Sequence, residues 1–244
     1  MRPAVLAFDA DDTLWDSESH FDYTETRFVD LLKPFADPDT VRSQLLSYER
    51  QRIAIYGYGV KSFTLSMIEV AIDLSDGQLP TADVLEIVRW GQGMLEHPVE
   101  LVAGAESTVA ALAADHRLLL ITKGDLHHQR RKVFESGLAP HFEGIEVVAE
   151  KDPATYREIL ERYGVQPNQF MMIGNSLRSD IAPVIAIGGR AVHIPYHLTW
   201  GHEQYDDEGQ PGSEADAITA SPDHFHLPSI VDVPELLDRL ATQP

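Results

Sequence analysis

The sequence contains no cysteine, and this excludes disulfide staples, thiolate metal centres and cysteine nucleophiles. It is also poor in cations: 19 Lys and Arg stand against 39 Asp and Glu, a net charge of -20. A nucleic-acid or anionic-membrane surface calls for clustered Lys and Arg, so neither partner is expected. No apolar run approaches the roughly 20 residues that cross a bilayer. The N-terminal stretch offers Arg2 and then only Ala4 to Phe8 before an acid, too short for a signal-peptide core. Together with the missing cysteines, this leads us to expect a cytoplasmic protein. The charge also means that an anionic substrate must be drawn in by a local cation or a metal, against the field of the whole chain.

Five short apolar runs are present instead. They are Ala4-Val5-Leu6-Ala7-Phe8, Leu118-Leu119-Leu120-Ile121, Ile145-Glu146-Val147-Val148, Phe170-Met171-Met172-Ile173 and Ala191-Val192-His193-Ile194. Continuous runs of this length read as buried strands of a parallel sheet. Helical patterns over 126–136, 153–163 and 179–187 separate the later runs and stop at Gly137, Gly164 and Gly188-Gly189. The alternation predicts an α/β fold with a doubly wound parallel sheet. Residues 16–98 break it, with helical patterns over 17–32, 38–55, 60–74 and 82–95 and no strand. We therefore expect a core built from residues 1–15 and 99–244, with 16–98 as an inserted α-helical domain. Residues 203–217, acidic and Gly-rich, read as an exposed loop, and 233–240 as a closing helix.

Chemistry-bearing residues follow the runs. Asp9-Ala10-Asp11-Asp12-Thr13 follows the first, Thr122-Lys123-Gly124-Asp125 the second, Glu150-Lys151-Asp152 the third, and Gly174-Asn175-Ser176-Leu177-Arg178-Ser179-Asp180 the fourth. The carboxyl ends of strands line the ligand crevice of open α/β sheets, so these groups should converge. Acids so placed repel one another unless a cation joins them. A hard divalent ion with oxygen ligands, most simply Mg2+, meets that need and keeps waters for a substrate phosphate. With a lysine, it would offset charge on a transferring phosphoryl group, and a carboxylate can serve as the nucleophile.

These residues resemble the haloacid dehalogenase-like superfamily over nearly the whole chain. Its DxDx[TV] motif is matched by Asp9, Asp11 and Thr13, its Thr or Ser ending an apolar strand by Thr122, and its lysine by Lys151. Its GDxxxxD motif is matched by Gly174 and Asp180, with Asn175 in place of the first acid. The resemblance implies a Rossmann-like core and an inserted helical cap that closes over the site. It implies Asp9 as nucleophile and Asp11 as the acid that protonates the leaving group and then activates water. Thr122 and Lys151 would hold phosphoryl oxygens, and Lys123 would either join them or turn to solvent. Mg2+ would be held by Asp9, the Asp11 carbonyl, and Asn175 or Asp180. The implied activity is Mg2+-dependent hydrolysis of a small phosphorylated metabolite.

Two positions depart from the pattern. Asn175 brings an amide oxygen without charge, and Asp12 stands where the family most often has glycine. A 2-haloacid dehalogenase of the same superfamily shares the nucleophile but lacks the second aspartate, so Asp11 favours phosphoryl transfer. A binding protein on the same fold would commonly have lost Asp9. Transfer of the phosphoryl group to a sugar hydroxyl is chemically open, with nothing in the sequence for it. Trp15 and Lys61 are candidate substrate contacts, Lys61 because it follows the glycine-containing turn Tyr56-Gly57-Tyr58-Gly59. His127-His128 and Arg130-Arg131-Lys132 read as a solvated helix face. His193, His197 and His202 lack ligand spacing, as does His224-Phe225-His226.

Overall fold

The computed structural model describes residues 3–203 and 213–242. The chain divides into two compact units, one of Met1–Asp16, Val99–Lys123 and Gln129–Pro244, the other of Ser17–Pro98 with Gly124–His128.

The first unit is built on six parallel strands: β1 (Val5–Phe8), β2 (Arg117–Lys123), β3 (Gly144–Val148), β4 (Phe170–Gly174), β5 (Arg190–His193) and β6 (His224–His226). Their order across the sheet is β3-β2-β1-β4-β5-β6. β1 is central, with Val5 opposite Arg117 of β2 and Phe170 of β4. Successive side chains of a strand point to opposite faces, and both faces here are buried. Leu6, Phe8, Leu118, Leu120, Met171, Ile173 and Val192 enter one apolar layer. Val5, Ala7, Leu119, Ile121, Phe170, Met172 and Ala191 enter the other. A sheet covered twice needs unbroken apolar runs, which is why the strands do not alternate with polar residues.

Helices supply the two covers. The first layer takes Ala105, Val109 and Leu112 from α5 (Ala105–Ala113), Val133 from α6 (Leu126–Glu135), and Leu236, Leu237 and Leu240 from α10 (Val233–Thr242). The second takes Tyr156, Ile159 and Leu160 from α7 (Pro153–Tyr163) and Val184 from α8 (Ala182–Ala186). α7 starts where the Asp152 carboxylate accepts from Thr155 N at 2.7 Å, with Pro153 in the first turn, and stops at left-handed Gly164.

The expected helix over 179–187 is instead a wide turn of π-helical pitch, Leu177–Ile181, followed by α8. Ser176 Oγ accepts from Ser179 N at 3.0 Å and so starts a turn early, while Pro183 lacks the N–H a continuous helix would use. Most of the expected 203–217 loop lies outside the described residues, and Glu214–Thr219 forms the short helix α9. α5 and β6 carry too few residues for a firm periodicity, and the sequence reading does not find them.

The second unit contains α1 (Glu18–Leu32), α2 (Pro38–Tyr56), α3 (Val60–Leu74) and α4 (Thr81–Glu96). Phe28 and Leu32, Val41 and Leu45, Phe63 and Met67, and Ile87 and Trp90 pack as one core, each pair at the i, i+3 or i, i+4 spacing of a helix face. α3 and α4 approach closely at Gly91, where a Cβ would lie 2.2 Å from Thr64 Oγ1.

Candidate active site

The first unit gathers its polar groups at the carboxyl ends of β1, β2 and β4. Asp9, 6% exposed, continues β1 by donating its N–H to Ile173 O at 2.9 Å. Lys151, past the end of β3, ion-pairs with Asp9 Oδ1 and reaches Asp180 Oδ1 at 2.7 Å. Asp180 Oδ2 accepts from Ser176 N at 3.0 Å, so both its oxygens are engaged. Thr13 Oγ1 stands 3.3 Å from Asp9 Oδ2 and 3.3 Å from Asn175 Oδ1, which puts those two oxygens on one side of the cluster.

The charges explain the protonation behaviour. Burial, helped by the Asp180 carboxylate, outweighs the Lys151 ammonium and holds the Asp9 carboxyl up at about 7. Burial alone would lower the Lys151 pKa, but Asp180 and Asp9 outweigh it and hold the ammonium charged. Two buried carboxylates thus share the Lys151 ammonium, and the cluster stays short of positive charge. Among the described residues, no three His, Cys, Asp or Glu side chains converge to hold a metal by themselves. This donor set fits Mg2+, which takes few protein oxygens and retains several waters. Asp9 and the neutral Asn175 amide offer the available oxygens, while Asp180 is committed to Lys151 and the Ser176 amide.

Gly174 makes this arrangement possible. A Cβ there would lie 2.3 Å from Asp180 Cγ. Gly174→Ala is expected to push Asp180 off Lys151, costing about 1–3 kcal/mol as an overpacked site and at least about tenfold in kcat, the scale of a small misplacement of reacting groups. Thermal unfolding and steady-state kinetics check both.

Asp11 lies on a separate polar network. Its Oδ1 accepts from Trp15 Nε1 at 2.6 Å and pairs with Lys132 Nζ at 2.5 Å, while its Oδ2 accepts from Gln129 Nε2 at 2.9 Å. Burial pushes the Asp11 carboxyl up, but the Lys132 charge and the bonds from Lys132, Gln129 and Trp15 outweigh it and hold it below the ordinary value. Asp12 between the two acids adopts φ +63°, the left-handed region. Glycine reaches that region at no steric cost, and aspartate tolerates it better than most residues, which accounts for the departure noted in the sequence.

Thr122, 1% exposed, presents Oγ1 to Gln129 Nε2 at 2.7 Å. Lys123 points neither to solvent nor to the Asp9 cluster. Its ammonium ion-pairs with Glu203 and meets Ser179 Oγ at 2.7 Å. Glu203 also accepts from Ser176 Oγ at 2.5 Å and Ser179 Oγ at 2.6 Å, and these partners outweigh its burial to hold its carboxyl down at about 2.

Three readings of the sequence need correction. Trp15 is 0% exposed within the apolar layer, so it holds Asp11 instead of presenting a surface to substrate. Lys132 is not solvated: it is 9% exposed and lies on the inner face of α6 with Gln129, at 2%, and Val133. The i, i+3, i+4 spacing of those three was the available signal, masked by the charged neighbours Arg130 and Arg131. Glu203, read as part of an exposed loop, lies in a turn, and its carboxylate is half of a largely covered ion pair, with both side chains 14% exposed. Lys61 belongs to the second unit, where its half-exposed ammonium meets Asp125 Oδ2 at 2.9 Å.

Known proteins share this organisation. A haloacid dehalogenase-like family hydrolase from Xanthomonas campestris has a solved structure that is 40% identical, with a TM-score of 0.84 over 98% of this chain and 94% of that one. The N-acylneuraminate-9-phosphatase of Rattus norvegicus is 27% identical over 157 residues, 62% of this chain and 57% of the rat protein. The phosphoserine phosphatase of Thermus thermophilus is 32% identical over 82 residues, about a third of each chain. Each match to these phosphatases thus covers less than two thirds of the relative. The haloacid dehalogenase-like hydrolase model matches residues 3–188, from before β1 to the end of the α8 region. On this match, and on the agreement in fold and motif order, the chain is a member of the haloacid dehalogenase-like hydrolases.

Proposed function

We propose that this hydrolase is a Mg2+-dependent phosphatase that cleaves small phosphate monoesters through a phosphorylated Asp9. The observation that carries the reading is the pairing of buried Asp9 with Lys151 beside a second aspartate, Asp11, held on its own network. An aspartate nucleophile alone would serve dehalogenation equally; a second aspartate is what phosphoryl transfer needs, to give and take a proton. The relatives named as phosphatases support the same class.

In this mechanism an Asp9 oxygen forms a bond to phosphorus as the ester P–O bond breaks, and Asp11, a carboxylate in the resting site, first takes up a proton and then gives it to the departing alkoxide. Asp11 then takes a proton from water, whose oxygen attacks phosphorus and frees inorganic phosphate and the Asp9 carboxylate. The Lys151 ammonium and the Thr122 hydroxyl would hold phosphoryl oxygens throughout. Lys123 could join them only by leaving Glu203. Asp9, Asn175 and the Asp11 backbone carbonyl would hold Mg2+, with Asp180 as the anchor of Lys151. When bound, the ion supplies positive charge against the phosphoryl oxygens. The substrate class is a small phosphorylated metabolite. The cysteine-free sequence suits a reducing cytoplasm, and among the described residues no helix is long and apolar enough to cross a membrane.

Hydrolysis of p-nitrophenyl phosphate tests the reading. Phosphate release is expected with Mg2+ and is expected to vanish with EDTA and return when Mg2+ is restored. Release that is indifferent to EDTA, or halide release from 2-haloacids in its place, would overturn it.

A further inference from the structure

The wide turn Leu177–Ile181 carries Asp180, the anchor of Lys151, and a more distant segment grips it from outside. The match to the family model ends at residue 188, and Glu203 lies beyond it. The Glu203 N–H donates to Trp200 O at 2.9 Å and closes a short turn there. Its Oε2 accepts from Ser176 Oγ at 2.5 Å and from Ser179 Oγ at 2.6 Å, while its Oε1 ion-pairs with Lys123. The backbone adds a second tie, from Arg178 Nη1 to His202 O at 3.2 Å. Each serine hydroxyl already accepts once: Ser176 Oγ from Ser179 N at 3.0 Å, and Ser179 Oγ from Lys123 Nζ at 2.7 Å. Each has a single proton to give, and both protons go to the one carboxylate. On the inner side of the same turn, Ser176 N donates to Asp180 Oδ2 at 3.0 Å, and Asp180 Oδ1 meets Lys151 Nζ at 2.7 Å.

We infer that Glu203 is a positioning residue: it clamps the Leu177–Ile181 turn so that Asp180 holds the Lys151 ammonium on Asp9. The inference rests on the phosphatase reading, in which that ammonium holds phosphoryl oxygens. A covered ion pair adds little net stability, because desolvation offsets the attraction. What Glu203 supplies is direction, through a charge-assisted bond from each serine. Turns of π-helical pitch are rare and occur mostly as bulges within α-helices. Here the bonds among Ser176, Ser179 and Glu203 hold that pitch, together with the Tyr156 hydroxyl, which donates to Ser179 O at 3.1 Å. The path to the reacting groups is short: Glu203 to Ser176, Ser176 to Asp180, Asp180 to Lys151. Glu203 itself need not touch substrate.

Glu203→Ala removes the clamp but strands the Lys123 charge, so the double variant Lys123→Met/Glu203→Ala, which lacks that charge, is its companion. Both are expected to lower kcat for p-nitrophenyl phosphate by about 10- to 100-fold, the scale of a misplacement of about 1 Å at the reacting groups. In Asp180→Asn, adding Glu203→Ala should cost less than about twofold further, because its effect passes through Asp180. Hydrogen exchange gives a readout independent of turnover. The Ser176 and Ser179 amides should exchange about tenfold faster in both variants, the scale of one lost hydrogen bond. The Asp9 amide, bonded to Ile173 O in the sheet, should stay within about threefold of wild type. Unchanged exchange at the two serines, or equal acceleration at Asp9, would overturn the inference, the second by making the role one of general stability. Recovery of kcat on adding Lys123→Met would also overturn it, by placing the effect in a stray ammonium, as would full additivity with Asp180→Asn. If wild-type enzyme hydrolyses no phosphate ester while the exchange responds as expected, the phosphatase reading fails and the clamp on Asp180 stands.

Discussion

Asp9→Asn is expected to lower kcat by on the order of 10⁴-fold or more, the scale seen when a covalent nucleophile is removed, while leaving the protein at least as stable as the wild type. The two halves of that expectation come from the same geometry. Asp9 is the carboxylate aligned with β1 and paired to Lys151, so no neighbouring group stands in its place to attack phosphorus. Yet its charge is not a stabilising feature by itself. Asp9 and Asp180 share one ammonium, and burial pushes the Asp9 carboxyl up to about 7 despite that partner. An amide of the same shape removes one of two crowded negative charges and can still accept from Lys151. Kinetics and thermal unfolding on the same preparation check both halves. A variant that is inactive because it is unfolded would contradict the argument.

Lys151→Met is expected to be the most damaging single change in this cluster. It leaves Asp9 and Asp180 buried, at 6% and 1% exposure, with no ammonium between them. Breaking a buried ion pair from one side costs about 3–5 kcal/mol, because the surviving charge keeps its desolvation penalty. Pairing it with Asp180→Asn should return much of that stability, since one stranded carboxylate is then neutral. Activity should not return, because the ammonium that would hold the phosphoryl oxygens is still missing. Urea unfolding of the single and double variants measures the first effect, and turnover measures the second. If the double variant is no more stable than Lys151→Met, the charge argument is wrong and the loss lies in packing.

The parts of this molecule legible in the sequence are those carried by short local patterns. β1 had to be a buried strand because five apolar residues run unbroken into Asp9, and α7 had to begin at Pro153 and end at Gly164. Asp9, Asp11, Thr122, Lys151, Asn175 and Asp180 could be proposed together because each follows such a strand. The illegible parts depend on what a side chain meets across space. Trp15 looks like a free aromatic beside the first motif until its indole is seen on Asp11. Lys132 sits in a run with Arg130 and Arg131, and only the packing of α6 shows which of the three turns inward. Glu203 is an acid in an acidic stretch, and no spacing announces that it will meet Lys123, Ser176 and Ser179. The turn at Leu177–Ile181 follows from Ser176 accepting from Ser179 N, a competition that helical periodicity does not register.

The central claim is that Asp9 becomes phosphorylated, and acid quenching followed by peptide mass analysis tests it most directly. Enzyme mixed with Mg2+ and excess p-nitrophenyl phosphate, then quenched within a turnover, should carry one phosphoryl group on the peptide containing Asp9. That group should be labile to hydroxylamine, as an acyl phosphate is, and absent from Asp9→Asn. Turnover without any phosphorylated peptide, or with the group on another residue, would contradict the account.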